Sequence, residues 1–169
     1  YYYGVYTAQD LAKIGSDEDG WFSDVNYKLM NDIDLSTSYF NQALIYNDFY
    51  GRFDGNGHVI HNLLIDGIEG NSYLGLFRSN YGIIENLGLE NYCISNATDF
   101  AGAICAENYG RIQRCYTAGT ITANNYEFMS YIGGICGQSY GISYAEEQSV
   151  IEDCYTAGSI QCGELTVFT

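Results

Sequence analysis

Residues 114–121 read RCYTAGTI and residues 153–160 read DCYTAGSI, so one chain writes nearly the same eight residues twice. Cys, Tyr, Thr, Ala, Gly and Ile hold their places, while the first position exchanges Arg114 for Asp153. A catalytic signature is written once, because one site needs one nucleophile and one base. Repetition at a fixed period is instead the mark of an architecture assembled from like units.

Three blocks align around this octapeptide. The first holds YLGLF at 73–77, NYG at 80–82 and IIENLGLENYCI at 83–94. The second holds FAGAIC at 100–105, NYG at 108–110 and RIQRCYTAGTI at 111–121. The third holds YIGGICG at 131–137, SYG at 139–141 and, after the insertion SYAEEQSV at 143–150, IEDCYTAGSI at 151–160. Gly82 and Gly110 are 28 residues apart and Gly110 and Gly141 are 31 apart, a period within the solenoid range. Each block is two short strand-like runs broken at a glycine, with no helical spacing.

Side chains alternate across a strand, so the second run separates into two faces. Leu87, Leu89 and Cys93, then Cys115, Thr117 and Ile121, then Cys154, Thr156 and Ile160 form the expected interior. The opposite face stacks Asn86, Arg114 and Asp153, then Gly88, Tyr116 and Tyr155. Successive coils of a parallel stack lie about 4.8 Å apart. Arg114 over Asp153 therefore reads as a cross-strand ion pair that keeps like charges from meeting. In the first run, Arg78 shares a column with Cys105 and Cys136, which places Phe77, Ile104 and Ile135 inside.

The stack needs a cover at its first coil, or its strand edges would pair with other chains. Thr7-Ala-Gln-Asp10 has the form of a helix start, and Ala8, Leu11 and Ile14 supply an apolar stripe, predicting a capping helix over 7–14. NYKLMNDIDL then alternates Tyr27, Leu29, Ile33 and Leu35 as a strand, and FDGNGHVIHNLLI reads as a tight turn at 54–57 leading into another. The expected organisation is a single domain over 1–169: cap and first coils over 1–72, three repeats over 73–162, and the start of a further coil at 163–169. The opening Tyr1 and the run ELTVFT at 164–169 suggest a processed or excised piece, or an end that docks on another copy.

Composition narrows the partners. Formal charge is −15 with only six basic residues, too few to replace the counterions of a nucleic acid backbone. The same field disfavours anionic lipid and polyuronate sugars unless calcium bridges them, leaving a neutral glycan, a basic protein surface or a second copy. No run approaches the roughly 20 apolar residues of a membrane span. Acidic, Tyr- and Asn-rich composition suits a secreted or cell-surface protein.

The runs YLGLF, NYGIIENLGL and GGICG, with the recurring CYTAG, resemble the GLUG repeat of bacterial extracellular and cell-surface proteins. TAQDLAKI, NYKLMNDIDLS and FYGRFDGNGHVIHNLLI resemble the capping segment and first coils that precede such repeats. The resemblance covers roughly residues 5–161. It implies an all-β chain, a right-handed parallel β-helix with a short N-terminal capping helix, serving as a stalk, adhesin or binding segment, with catalysis in other domains. It supplies no catalytic residues.

The residues that could carry chemistry mostly have structural readings. Cys115 and Cys154 share the interior column as small buried thiols, whereas Cys105 and Cys136 form the better candidate disulfide. No Cys/His spacing suits zinc. His58 and His61 face opposite sides of a strand; Asp32 and Asp34 share a face but read as solvated acids; Asp17-Glu18-Asp19 lacks the spacing of a calcium loop. Tyr116 and Tyr155, stacked on an outer face, offer a candidate binding surface, and Asn96-Ala97-Thr98 fits a glycosylation sequon. The expectation is a non-catalytic, cofactor-free structural or adhesive module binding a protein or a neutral glycan. A pectate-lyase-like carbohydrate-active enzyme and an end-to-end filament subunit are the alternatives.

Overall fold

The computed structural model describes residues 1–68, 70–124, 130–141 and 148–163. The expected insertion falls largely on 142–147, and the expected further coil on 164–169; both lie outside the described residues. Among the described residues every strand pairing is parallel and every pair joins segments far apart in sequence. The product is a β-solenoid of about four turns.

One coil shows how the chain is wound. Phe100–Gly102, Cys105–Asn108, Arg111–Gln113 and Tyr116–Ala123 follow one another, and each belongs to a different sheet. The coil before stacks on it through Tyr73–Leu74, Phe77–Asn80, Ile83–Glu85 and Gly88–Ala97. The coil after stacks through Tyr131–Gly133, Cys136–Ser139, Val150–Glu152 and Tyr155–Cys162. Upstream, Tyr3–Val5, Tyr27–Leu29 and Arg52–Asp54 extend one six-stranded sheet, while Ile33–Asp34 and Val59–His61 extend another.

The first coil is covered as the sequence predicts. Thr7 caps the helix Ala8–Lys13 with a complete capping box: its hydroxyl accepts from the Asp10 amide, and the Asp10 carboxylate accepts from the Thr7 amide. Leu11 and Ile14 face the core, and Tyr27, Leu29, Ile33 and Leu35 are all buried, but in place of the single strand expected over this run Tyr27–Leu29 and Ile33–Asp34 belong to two different sheets. No helix among the described residues is long and apolar enough to cross a membrane. Packing at this end is aromatic: Tyr27, Phe49, Phe77 and Phe53 meet in tilted and edge-on pairs with ring centroids 5.2–6.3 Å apart.

Two of the corners in each coil carry a residue signature. At the first, a Tyr-Gly step recurs at 50–51, 81–82 and 109–110, and the glycine has no alternative. A Cβ on Gly82 would lie 1.9 Å from the Gly51 carbonyl oxygen, and one on Gly110 would lie 2.2 Å from that of Gly82. At the second, Asn86, Arg114 and Asp153 occupy one column with φ of 54°, 52° and 53°. Left-handed backbone is accessible to Asn and Asp and less so to Arg. Arg114 recovers the cost through its bonds to the preceding coil, where Nη2 donates to Glu85 at 2.6 Å and Nε to Asn86 at 2.7 Å.

That geometry corrects the expected Arg114 to Asp153 pair. The corner swings Arg114 back to Glu85, a carboxylate only 5% exposed that also accepts from Gln113 and meets Arg52. Two assignments of faces also change. A β-bulge between Glu90 and Tyr92 moves the register by one, so Ile94, not Cys93, lies over Ile121 inside, and Cys93 is half-buried opposite Thr120. The second block likewise carries one residue more than the first between its opening strand and its Asn, so Cys105 pairs with Phe77 as well as with Cys136. Arg78 is displaced outward, where its guanidinium sits over Tyr73 and Tyr46 beside Asp48.

Inside the first corner runs a side-chain amide ladder. Asn80 and Asn108 are fully buried; Asn80 donates to the Asn108 oxygen at 2.8 Å, and Asn108 donates to Ser139 at 3.1 Å and to the Gly110 carbonyl at 3.1 Å. Such ladders suit in-register stacking because each amide finds its partner one coil away. Replacing Asn108 with Ala leaves the Asn80 amide short of its acceptor, and N108A is expected to lower unfolding free energy by about 2 kcal/mol in denaturant titrations.

Carboxylates on the outside join coils in the same manner. Asp66 accepts from Ser95, Tyr39 and Asn96, which hold its carboxyl below the usual range. Burial pushes Asp54 up, but donors from Asn86, the Asn56 amide and Lys28 outweigh it and the net direction is down. Groups with depressed folded pKa stabilise above their unfolded value and lose that contribution as pH falls through the folded one. In salt sufficient to screen the −15 net charge, the melting temperature is expected to stay level from neutral pH to about 5 and fall progressively below about 4.

Candidate ligand-binding groove

The Tyr-Gly corner builds more than a turn. Because the glycines cannot carry a side chain, the tyrosines before them stand clear of the backbone and stack along the solenoid axis. Tyr50 and Tyr81 have centroids 4.9 Å apart at 18°, Tyr81 and Tyr109 are 4.5 Å apart at 1°, and Tyr109 and Tyr140 are 4.5 Å apart at 2°. Beside this rail runs an open groove of about 960 Å³. It is lined by Gly51, Gly82 and Gly110, by Tyr50, Tyr81 and Tyr109, and by Tyr2, Asp24, Asn26, Arg52 and Arg111 among others.

The rail is anchored from behind by Glu107. This carboxylate, 7% exposed, accepts from Ser79, Tyr109 and Tyr140, the last at 2.8 Å. Burial, with the Glu107 charge behind it, pushes the Tyr109 phenol up to about 12 and Tyr140 higher still, so both are neutral donors across the physiological range. The hydroxyls of Tyr109 and Tyr140 are thus committed to Glu107, while Tyr50, Tyr81 and Tyr109 line the groove. Arg52 and Arg111 stay partly exposed while paired to Glu85 and Glu152 respectively. Their charges are therefore largely compensated, and what remains is a row of N–H donors. Each coil thus contributes an aromatic ring and open glycine backbone at a step of 4.5–4.9 Å, and Arg52 and Arg111 add guanidinium donors two coils apart. Such a trough can hold a hydroxyl-rich linear chain by hydrogen bonds and aromatic contact.

The residues singled out from sequence lie elsewhere. Tyr116 and Tyr155 do stack, with centroids 5.3 Å apart at 8°. One face of Tyr116 covers Gly88 and its hydroxyl donates to Glu90 at 2.7 Å, which raises its pKa to about 12. Tyr116 is therefore engaged with the sheet, whereas Tyr155 is 63% exposed. Asp32 accepts from the Val59 amide and His58, and Asp34 from Asn62 and Ser36; these bonds depress both carboxyls. His58 and His61 separate, the latter lying 3.7 Å from Glu90. Asn96 donates its amide to Asp66 and accepts from Asn124, so a glycan on that nitrogen would interrupt an inter-coil ladder. Cys105 and Cys136 face each other in register. No group of three metal-ligating side chains converges among the described residues.

The rail tyrosines were visible in the sequence only as punctuation. FYG, NYG, NYG and SYG at 49–51, 80–82, 108–110 and 139–141 mark the corner four times. Nothing in that spacing discloses that Tyr2, Asp24 and Asn26 also line the groove, because the N-terminal segment does not follow the period.

No family model matches the sequence, so the likeness to the GLUG repeat rests on the quoted runs, and no solved structure matches it either. Over 103 residues the chain is 34% identical to halomucin of Haloquadratum walsbyi, an alignment covering 60% of this chain and 1% of that protein. The similarity relates this chain to a short segment of a far longer protein.

Proposed function

We propose that the chain is a non-catalytic extracellular or cell-surface β-helix module with a structural and adhesive role, holding a neutral glycan in the groove beside Tyr50, Tyr81 and Tyr109. The observation that carries this reading is the repetition of the groove itself. Neighbouring coils present equivalent tyrosine and glycine steps, which suits a polymer of repeating units and not one reacting bond. Similarity to halomucin, a surface protein, supports the location. The GLUG-like runs support the stalk-like role. The net charge of −15 favours an uncharged sugar over a polyuronate.

A pectate-lyase-like enzyme is the competing reading, and Asp24, Arg52 and Arg111 do line one trough. Against it, Glu85 and Glu152 are engaged by arginines, and Asp32 and Asp34 by inter-coil donors. A carboxylate working as acid or base must be free to exchange its proton with substrate.

Screening the chain on a neutral glycan array, followed by calorimetry with oligosaccharides of increasing length, tests the proposal. Affinity is expected to rise with length as further coils engage, and Tyr50→Ala and Tyr81→Ala are each expected to weaken binding about tenfold, about 1.4 kcal/mol. Binding that ignores both substitutions, or no binding to any neutral glycan, removes the groove from the account. Release of new reducing ends by the isolated chain would establish the enzyme instead.

A further inference from the structure

The six cysteines are not equivalent once the register is known. Cys93 lies opposite Leu64 and Thr120, and Cys162 opposite Ala123. The other four meet across a single boundary, between the coil at 100–123 and the one after it. Cys105 and Cys136 are direct partners. Cys115 and Cys154 are bracketed by the partners Gln113 and Glu152 on one side and Tyr116 and Tyr155 on the other, which sets one over the other. The Cys115 amide donates to the Cys154 sulfur at 3.4 Å, while the Cys115 thiol donates to the Gln113 carbonyl at 3.3 Å and the Cys154 thiol to the Glu152 carbonyl at 3.1 Å. Neighbouring backbones in a parallel sheet lie about 4.8 Å apart, within the Cα separation that a disulfide bridges.

We propose that Cys115 and Cys154 are a reactive dithiol that low-molecular-weight disulfides oxidise to an inter-coil bond, bolting the coil at 150–162 onto its predecessor. The pair is divided in the way such chemistry requires. Cys115 is 1% exposed, whereas Cys154 is half-buried and reachable. The adjacent Cys115 thiol, with that residue's backbone amide, draws the Cys154 thiol down to about 7 against the effect of burial. The Cys154 sulfur beside it and burial push Cys115 up, so the negative charge settles on the accessible sulfur. A thiolate with pKa near ambient pH is the efficient attacker in exchange.

The Cys154 thiolate attacks one sulfur of the small disulfide, the S–S bond breaks, and one thiolate leaves and takes a proton from solvent. The Cys115 thiol then gives up its proton and displaces the second small thiol from Cys154. Two protein thiols and one disulfide become one protein disulfide and two free thiols. The consequence falls on the strand Tyr155–Cys162, whose side chains are exposed throughout, unlike those of the interior strands. Closing a long loop across this boundary restricts how far that strand can peel from Tyr116–Ala123.

The whole chain, reduced and then equilibrated in glutathione buffers from reducing to oxidising, is quenched with acid, alkylated under denaturing conditions and mapped by peptide mass spectrometry. The expected result is a monomer containing a peptide cross-linked between Cys115 and Cys154, with Cys93 still alkylated. Oxidation should also slow proteolytic cleavage within 150–162 at least tenfold, an effect that Cys115→Ser abolishes. In that variant Cys154 should instead retain a glutathione. A map in which Cys115 remains alkylatable while Cys162 is already glutathionylated overturns the proposal. So does a wild-type chain that stops at the mixed disulfide on Cys154. The wild-type map alone decides, should the variant fail to fold.

Discussion

In-register parallel stacking is the constraint from which the rest follows. When a residue must sit about 4.8 Å above its counterpart, the only side chains that persist along a column are those that tolerate their own kind. Aliphatics do so inside, tyrosines do so face to face, and asparagines do so by passing one hydrogen bond along. Charged residues do so only when donors from neighbouring columns compensate them, as where Asp54 lies against Glu85 with Lys28, Arg52 and Arg114 beside them. Asp54, Glu85, Gln113 and Glu152 share one column, and Lys28, Arg52, Arg111 and Arg114 are interleaved around it. Four of the six basic residues of the chain are committed to this sheet.

The corners convert that constraint into a surface. A glycine that must accept the carbonyl of the coil before it leaves the preceding side chain nowhere to pack except outward, where its counterpart already stands. The tyrosine rail is thus a by-product of backbone crowding, and the groove beside it is what remains when three successive corners carry no side chain. Groove and coil are built from the same atoms, which explains why the groove is as regular as the coil.

Much of the architecture was legible in the sequence because its period is a direct physical consequence of winding. The helix over Thr7 to Ile14, the buried alternation from Tyr27 to Leu35, and the pairing of Tyr116 with Tyr155 could be read from spacing alone. The misreadings have one source. The bulge after Glu90 and the extra residue before Asn108 alter register by one without altering the repeat, and alternation is blind to such a slip. The fate of Arg114 was hidden for a related reason, since a left-handed corner redirects a side chain that strand geometry would send toward Asp153. The groove needed Tyr2, Asp24 and Asn26, which belong to no repeat.

The buried amide ladder has a direction. Asn80 gives its proton to Asn108 and Asn108 gives its own to Ser139, so every dipole along the corner points the same way. A duplicated coil carrying Asn at this position can be spliced in without reversing any donor, whereas an inverted or frame-shifted copy would set donor against donor in a dry interior.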